Sequence, residues 1–165
     1  MTNYLKLNKL DELKIIIIFQ KILEAINYLH EKEIIHMDIK LENIMIDRSA
    51  NPKIIDFGLS IMQKDAKDQV LCGTPSYMSP EIIANKNKIG TKTDIWSAGV
   101  LLYKMLFHCY PFEGHNDKEI FLKIKKGVFT FPHPISEQLK SFISNMIEID
   151  SDKRINSKEV KIIRL

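Results

Sequence analysis

Cysteine is scarce in this chain: there are two, Cys72 and Cys109, far apart and without the paired spacing of a zinc site. That excludes a disulfide scaffold and points to buried thiols in a reducing, intracellular and cytoplasmic setting. Long hydrophobic runs are missing as well. The longest, Ile15 to Phe19, falls far short of the roughly 18 residues a membrane span needs, and Met1-Thr2-Asn3-Tyr4-Leu5-Lys6 carries no signal-peptide stretch. No membrane partner is expected. Nor is there an excess of charge of one sign: 24 basic and 21 acidic residues leave a net charge of +3, which argues against a nucleic-acid-binding surface and against disorder. The basic residues are mostly lysine, which suits solvated faces better than bidentate phosphate or base readers. Internal repeats and low-complexity linkers are absent, so the 165 residues read as one compact unit.

What is present is globular in character, 45% hydrophobic and 27% charged. Ile15, Ile18, Phe19, Ile22, Ile26 and Leu29 recur at three-and-four spacing and predict a helix over residues 12 to 32, with Asp11 as its cap. The clustered isoleucines would also suit a strand, but periodicity over two dozen residues outweighs that local preference. Asn43 to Asp47 and Pro52 to Asp56 predict a hairpin around turn residues Asp47 to Pro52. A strongly apolar helix is expected from Thr91 to about Phe107, buried on all sides. Amphipathic helices are expected near 117 to 126, 136 to 149 and 157 to 165, punctuated by Gly127 and Pro132-His133-Pro134. The fold class is therefore mainly α with a short β-hairpin.

One run stands out, His36-Met37-Asp38-Ile39-Lys40-Leu41-Glu42-Asn43, followed after the hairpin by Asp56-Phe57-Gly58. Moving a phosphoryl group needs a carboxylate beside the attacking hydroxyl, a cation for the charge in motion, and an amide with a second carboxylate to hold Mg²⁺. Asp38, Lys40, Asn43 and Asp56 are those residue types in that order. The two acids are 18 residues apart, a length that a loop and two short antiparallel strands can fold into one cleft.

With these motifs in order, the chain resembles the C-terminal lobe of a eukaryotic protein kinase of the Ser/Thr type, over about Leu10 to Arg164. The resemblance implies a partial kinase fold with a catalytic loop at 36–43 and an activation segment at 56–81. It implies ATP and Mg²⁺ as cofactors and a protein as substrate. It makes Asp38 the base that orients the hydroxyl and Lys40 the cation on the γ-phosphate, with Asn43 and Asp56 holding the metal. Met45 would lie under the adenine ring, or be an ordinary core methionine. Thr74 would bond Asp38 and Lys40; Leu71, Gly73, Pro75 and Met78 would shape the docking surface for the substrate residue after the acceptor. Glu42 would favour a basic residue upstream, although Lys104 stands where a second acid is often found. Three structural roles follow too. His36 packs on Phe57, which favours structure over catalysis for that histidine. Asp94 accepts backbone hydrogens from the catalytic loop, or else is a helix N-cap, and Arg154 pairs with Glu81. The stretch from Gln63 to Asp68 is expected to be polar and flexible. His30 and His108 have no partner that the sequence identifies.

Two departures matter. Met37 and Val70 replace the arginine and the phosphate-accepting residue by which phosphorylation orders the segment, so control at that position is not expected. The glycine loop, the lysine strand and the helix with its partner glutamate are not found in these residues. Three readings result: a catalytic-lobe fragment of an authentic kinase, a catalytically inactive kinase-like binding or scaffold module, or a lobe that joins a separate N-terminal lobe or regulatory partner. In each, an exposed apolar patch is expected where a small lobe would sit.

Overall fold

The computed structural model describes residues 11–68, 73–84 and 89–160. Helix α1 runs Glu12–Glu31, and Asp11 caps it by accepting the Lys14 N–H at 2.9 Å. Its buried side chains include Ile15, Ile18, Phe19, Ile22 and Ile26 of the face the periodicity predicts, with Ile16 and Leu23 in addition; Leu29 is half-buried, and Ile17 is exposed. A two-residue strand β1 (Ile34–Ile35) leads into the 36–43 loop, which ends in a 3₁₀ turn, Leu41–Asn43. Strands β2 (Ile44–Ile46) and β3 (Pro52–Ile54) pair antiparallel with Ile44 opposite Ile54, the expected hairpin trimmed at its ends. A further strand, β4 (Ile61–Met62), pairs back with β1, an interaction not foreseen.

Beyond β4, in the run expected to be polar and flexible, Gln63–Asp68 winds into a 3₁₀ helix with Ala66 buried. One apolar side chain on the inner side of a polar run gives that turn something to dock. A 3₁₀ turn at Pro75–Tyr77 and a single helical turn α2 (Pro80–Ile83) follow. Helix α3, Thr91–Phe107, is the centre of the molecule, with 14 of its residues buried. It packs on α1 and on α5 (Glu137–Met146). Gly99 makes the second crossing possible, since a Cβ there would lie 2.8 Å from the Met146 Cβ. Trp96 is fully buried and stacks on Phe112 at 5.8 Å.

Helix α4 spans Asp117–Lys126 as expected and ends at Gly127, whose φ of 65° is the left-handed cap that favours glycine. Helix α5 is shorter than its pattern suggested and stops at Met146. The helix expected at 157–165 is not seen where it is described: 157–159 form a turn, and 161–165 lie outside the described residues. Cys109 is half-buried and free, while Cys72 lies outside the described residues. Among the described residues no helix is long and apolar enough to cross a membrane.

Candidate active site

The loop after β1 is hung from α3. Asp94, 1% exposed in the first turn of that helix, accepts the His36 N–H at 2.9 Å and the Met37 N–H at 3.0 Å. Its Oδ2 also takes a bond from His30 Nε2 at 2.9 Å, so His30, which the sequence left without a partner, braces the same carboxylate from α1. Nothing in the sequence announces a contact across 64 positions. His36 is fully buried. Its Nδ1 accepts the Asp38 N–H at 3.3 Å and its Nε2–H faces the Ile55 carbonyl at 3.2 Å, which sets the tautomer. The Phe57 ring lies against it, centroids 4.9 Å apart. Both ring nitrogens are thus spent on main-chain groups.

Suspended in this way, Asp38 presents its carboxylate to three groups. Thr74 Oγ1 donates to Oδ1 at 3.1 Å, while Lys40 Nζ and Asn43 Nδ2 reach Oδ2 at 2.6 and 3.0 Å. The Thr74 hydroxyl also accepts from Lys40 Nζ at 2.9 Å, and Asn43 Nδ2 also donates to the Asp38 carbonyl at 2.9 Å. With its nitrogen committed, the Asn43 amide offers its oxygen to a cation.

The hairpin brings Asp56 alongside, because the Ile55 N–H donates to the Asn43 carbonyl at 2.9 Å, one residue beyond the Ile44–Ile54 pair. Asp56 is exposed and adopts φ 65°, a conformation that aspartate tolerates better than most residues. The carboxylate of Asp56 and the amide oxygen of Asn43 are hard oxygen donors. They fit Mg²⁺, which takes one or two such ligands and fills the rest of its octahedron with water and phosphate oxygens. They do not amount to a complete protein cage: among the described residues no group of three or more acidic, histidine or cysteine side chains could hold a metal alone.

The remaining candidates fall on two sides. Gly73 takes φ 103°, and a Cβ there would meet the Met37 carbonyl at 3.2 Å, so the chain passes tightly under the Asp38 loop. Pro75 is half-buried, and Met78 is buried beneath the loop rather than open to a docking surface. Leu71 and Val70 lie outside the described residues. Tyr77 accepts the Leu41 N–H at 3.4 Å, and burial pushes its phenol far above the usual range, with the Tyr110 ring and Glu42 nearby. Glu42 is exposed, and Lys104 Nζ rests 3.8 Å over the Tyr110 ring.

Glu81 and Arg154 form a buried, two-pronged pair at 2.7 and 3.0 Å, and Arg154 also donates to the Glu148 and Lys92 carbonyls. Burial alone would raise the Glu81 carboxyl. The Arg154 guanidinium overrides that and holds it below its ordinary value. Thr93, not singled out in the sequence, adds a bond to Glu81 at 3.1 Å. Met45, Phe57, Leu59 and Met62 stand 55, 48, 41 and 38% exposed.

A buried acid cradled by lysine, asparagine and threonine, on a loop hung from a central helix, defines a class: the chain belongs to the eukaryotic protein kinase family, Ser/Thr type, and the family model described as "Protein kinase domain" matches residues 1–163. Among its relatives, "Probable serine/threonine-protein kinase MARK-A" of Dictyostelium discoideum is 41% identical over 143 residues, covering 86% of this chain and 14% of that protein. "Serine/threonine protein kinase OSK3" of Oryza sativa subsp. indica is 38% identical over 145 residues, covering 87% of this chain and 28% of that protein. The chain therefore spans well under a third of either relative's length.

Proposed function

We propose that the chain is the C-terminal catalytic lobe of a Ser/Thr protein kinase, which transfers the γ-phosphoryl group of ATP to a protein serine or threonine when an N-terminal lobe completes the nucleotide site. The observation that carries this reading is the Asp38 carboxylate, held by Thr74, Lys40 and Asn43 within 3.1 Å. Those bonds orient a base without burying it in a hydrophobic trap. Lys40 side-chain exposure of 21% leaves its ammonium able to turn toward an incoming phosphate.

In this mechanism Asp38 accepts the hydroxyl proton and aligns the oxygen for attack. Lys40 steadies the phosphoryl group, and Thr74 keeps Lys40 and Asp38 in register. Asn43 and Asp56 are the residues that would hold Mg²⁺, which when bound supplies charge neutralisation on the phosphates. Met45, exposed on β2, is available to the adenine ring, and Glu42 and the half-buried residues 73–76 to the protein substrate. His36, Phe57, Asp94, Glu81 and Arg154 are structural.

Calorimetric titration of this chain with Mg·ATP tests the reading. Heat of binding that disappears in Asp56→Asn is the expected result. Absence of binding in both proteins would overturn the half-site and favour the alternative, a kinase-like module that binds other proteins without catalysis.

A further inference from the structure

Met37 sits directly beside Asp38 with φ 69°, where a methionine Cβ crowds its own main chain. Such a conformation persists only where the surroundings over-determine it. The main chain accounts for part of that: the Met37 N–H is bound by Asp94, and its carbonyl lies 3.2 Å from where a Cβ at Gly73 would stand. The side chain accounts for the rest. It is 3% exposed and packs with Ile35, Ala66, Met78, Ile82 and Ile89 in an apolar cluster separate from the main core. The cluster gathers β1 and its loop, the 3₁₀ helix after β4, the turn at 78–82, and the residue just ahead of α3.

Among the described residues, several other ties of this stretch are neutral or buried. Gln63 Oε1 accepts the Thr91 N–H at 3.1 Å, Ser60 Oγ donates to the His36 carbonyl at 3.3 Å, and the Glu81–Arg154 pair is shut away from salt. Among the described residues, partly exposed charge reaches it at the site itself, where Thr74 bonds both Lys40 and Asp38.

We propose that Met37 is a positioning residue: its side chain is an apolar latch that holds residues 61–66 and 73–82 against the Asp38 loop, so that this stretch is docked by burial of hydrocarbon rather than by an exposed ionic contact. The inference goes beyond the functional reading, because it concerns how the stretch is held and would stand even if the chain transferred no phosphate.

Amide hydrogen exchange on the whole chain, read by mass spectrometry, tests it without an activity assay. Raising NaCl from about 0.1 to about 1 M shrinks the screening length from about 10 to about 3 Å. Protection of 73–82 in the unsubstituted chain is expected to change by less than about twofold over that range, since buried apolar contacts are not screened. Met37→Gly is the sharpest variant. Glycine adopts φ 69° without strain, so relief of strain alone would tighten the stretch, whereas loss of the latch loosens it by about tenfold or more. Met37→Leu nearly conserves volume and should keep protection within about threefold of the parent. Amides of α1 serve as the internal control for global unfolding. Protection that collapses about tenfold in high salt in the unsubstituted chain, or that survives intact in Met37→Gly, would overturn the latch. Where Met37→Gly fails to fold, Met37→Ala, which keeps the Cβ and its strain but removes the rest of the hydrocarbon, is read against the same α1 control: loss of about tenfold or more supports the latch, and unchanged protection overturns it.

Discussion

Two ion pairs of nearly equal length do opposite jobs in this molecule. Glu81–Arg154 closes at 2.7 Å with side-chain exposures of 3% and 0%, and Lys40–Asp38 closes at 2.6 Å with 21% and 9%. Arg154 spends its donors on Glu81, two carbonyls and the face of Trp96, 5.1 Å from the ring centre, so its geometry has no freedom left. Lys40 is a flexible ammonium shared between one carboxylate and one hydroxyl, and it can leave. Distance alone therefore says little. The number of fixed partners and the access of water separate a locked pair from one that can open.

The comparison can be broken most decisively at the locked pair. Arg154→Met strands the Glu81 carboxylate in the core and should cost about 3–5 kcal/mol in urea unfolding, with the site residues untouched. A loss below about 1 kcal/mol would mean the pair is not the clamp its burial suggests. Asp38→Asn should do the reverse. Stability should move by about 1 kcal/mol or less, because Lys40 can turn to water. In a lobe-completed kinase, phosphoryl transfer should fall on the order of 10²-fold or more, measured by single-turnover assay.

Acid sharpens the contrast further. The folded Glu81 carboxyl lies below its ordinary value of 4.5, so its contribution is present in full above that pH and drains away as pH falls through the lowered folded value. The thermal midpoint should drop in that window by about 2–4 °C for each kcal/mol lost, and Glu81→Gln should flatten that part of the profile. The smallest effect belongs to a third pair, Glu137–Lys140, also 2.6 Å long but on the open surface of α5. Lys140→Gln should shift stability by less than about 0.5 kcal/mol.

How much of this was legible beforehand follows from how each feature is encoded. Helix α1 is written in side-chain spacing over two dozen residues, and its buried face could be read directly. The β2–β3 hairpin is announced by its turn residues. The β1–β4 pair could not be seen, since strands of two residues have no period to detect, and their pairing depends on where the 36–43 loop sends the chain. The triad of Asp38, Lys40 and Thr74 was legible because the motif fixes residue type and order, and short bonds across 34 and 36 positions assemble it. His30 was not, for want of any local pattern joining it to Asp94. Met37 was read only as a missing arginine. What it does instead, filling an apolar pocket, needs the packing of four separate stretches. Helix α5 and the turn at 157–159 erred in the other direction: the amphipathic pattern continued past the point where packing supports a helix.

Met45 has a practical consequence of its own. Its thioether stands in the open at 55% exposure, while Met105 and Met146 are sealed at 0%. Peroxide reaches exposed sulfur first, so the sulfoxide at Met45, read by peptide mapping apart from that at the 38% exposed Met62, works as a built-in chemical gauge of whether anything is seated on β2. A slow oxidation clock at Met45 would register a cover, and a fast one a bare surface, with the two interior methionines as the silent reference.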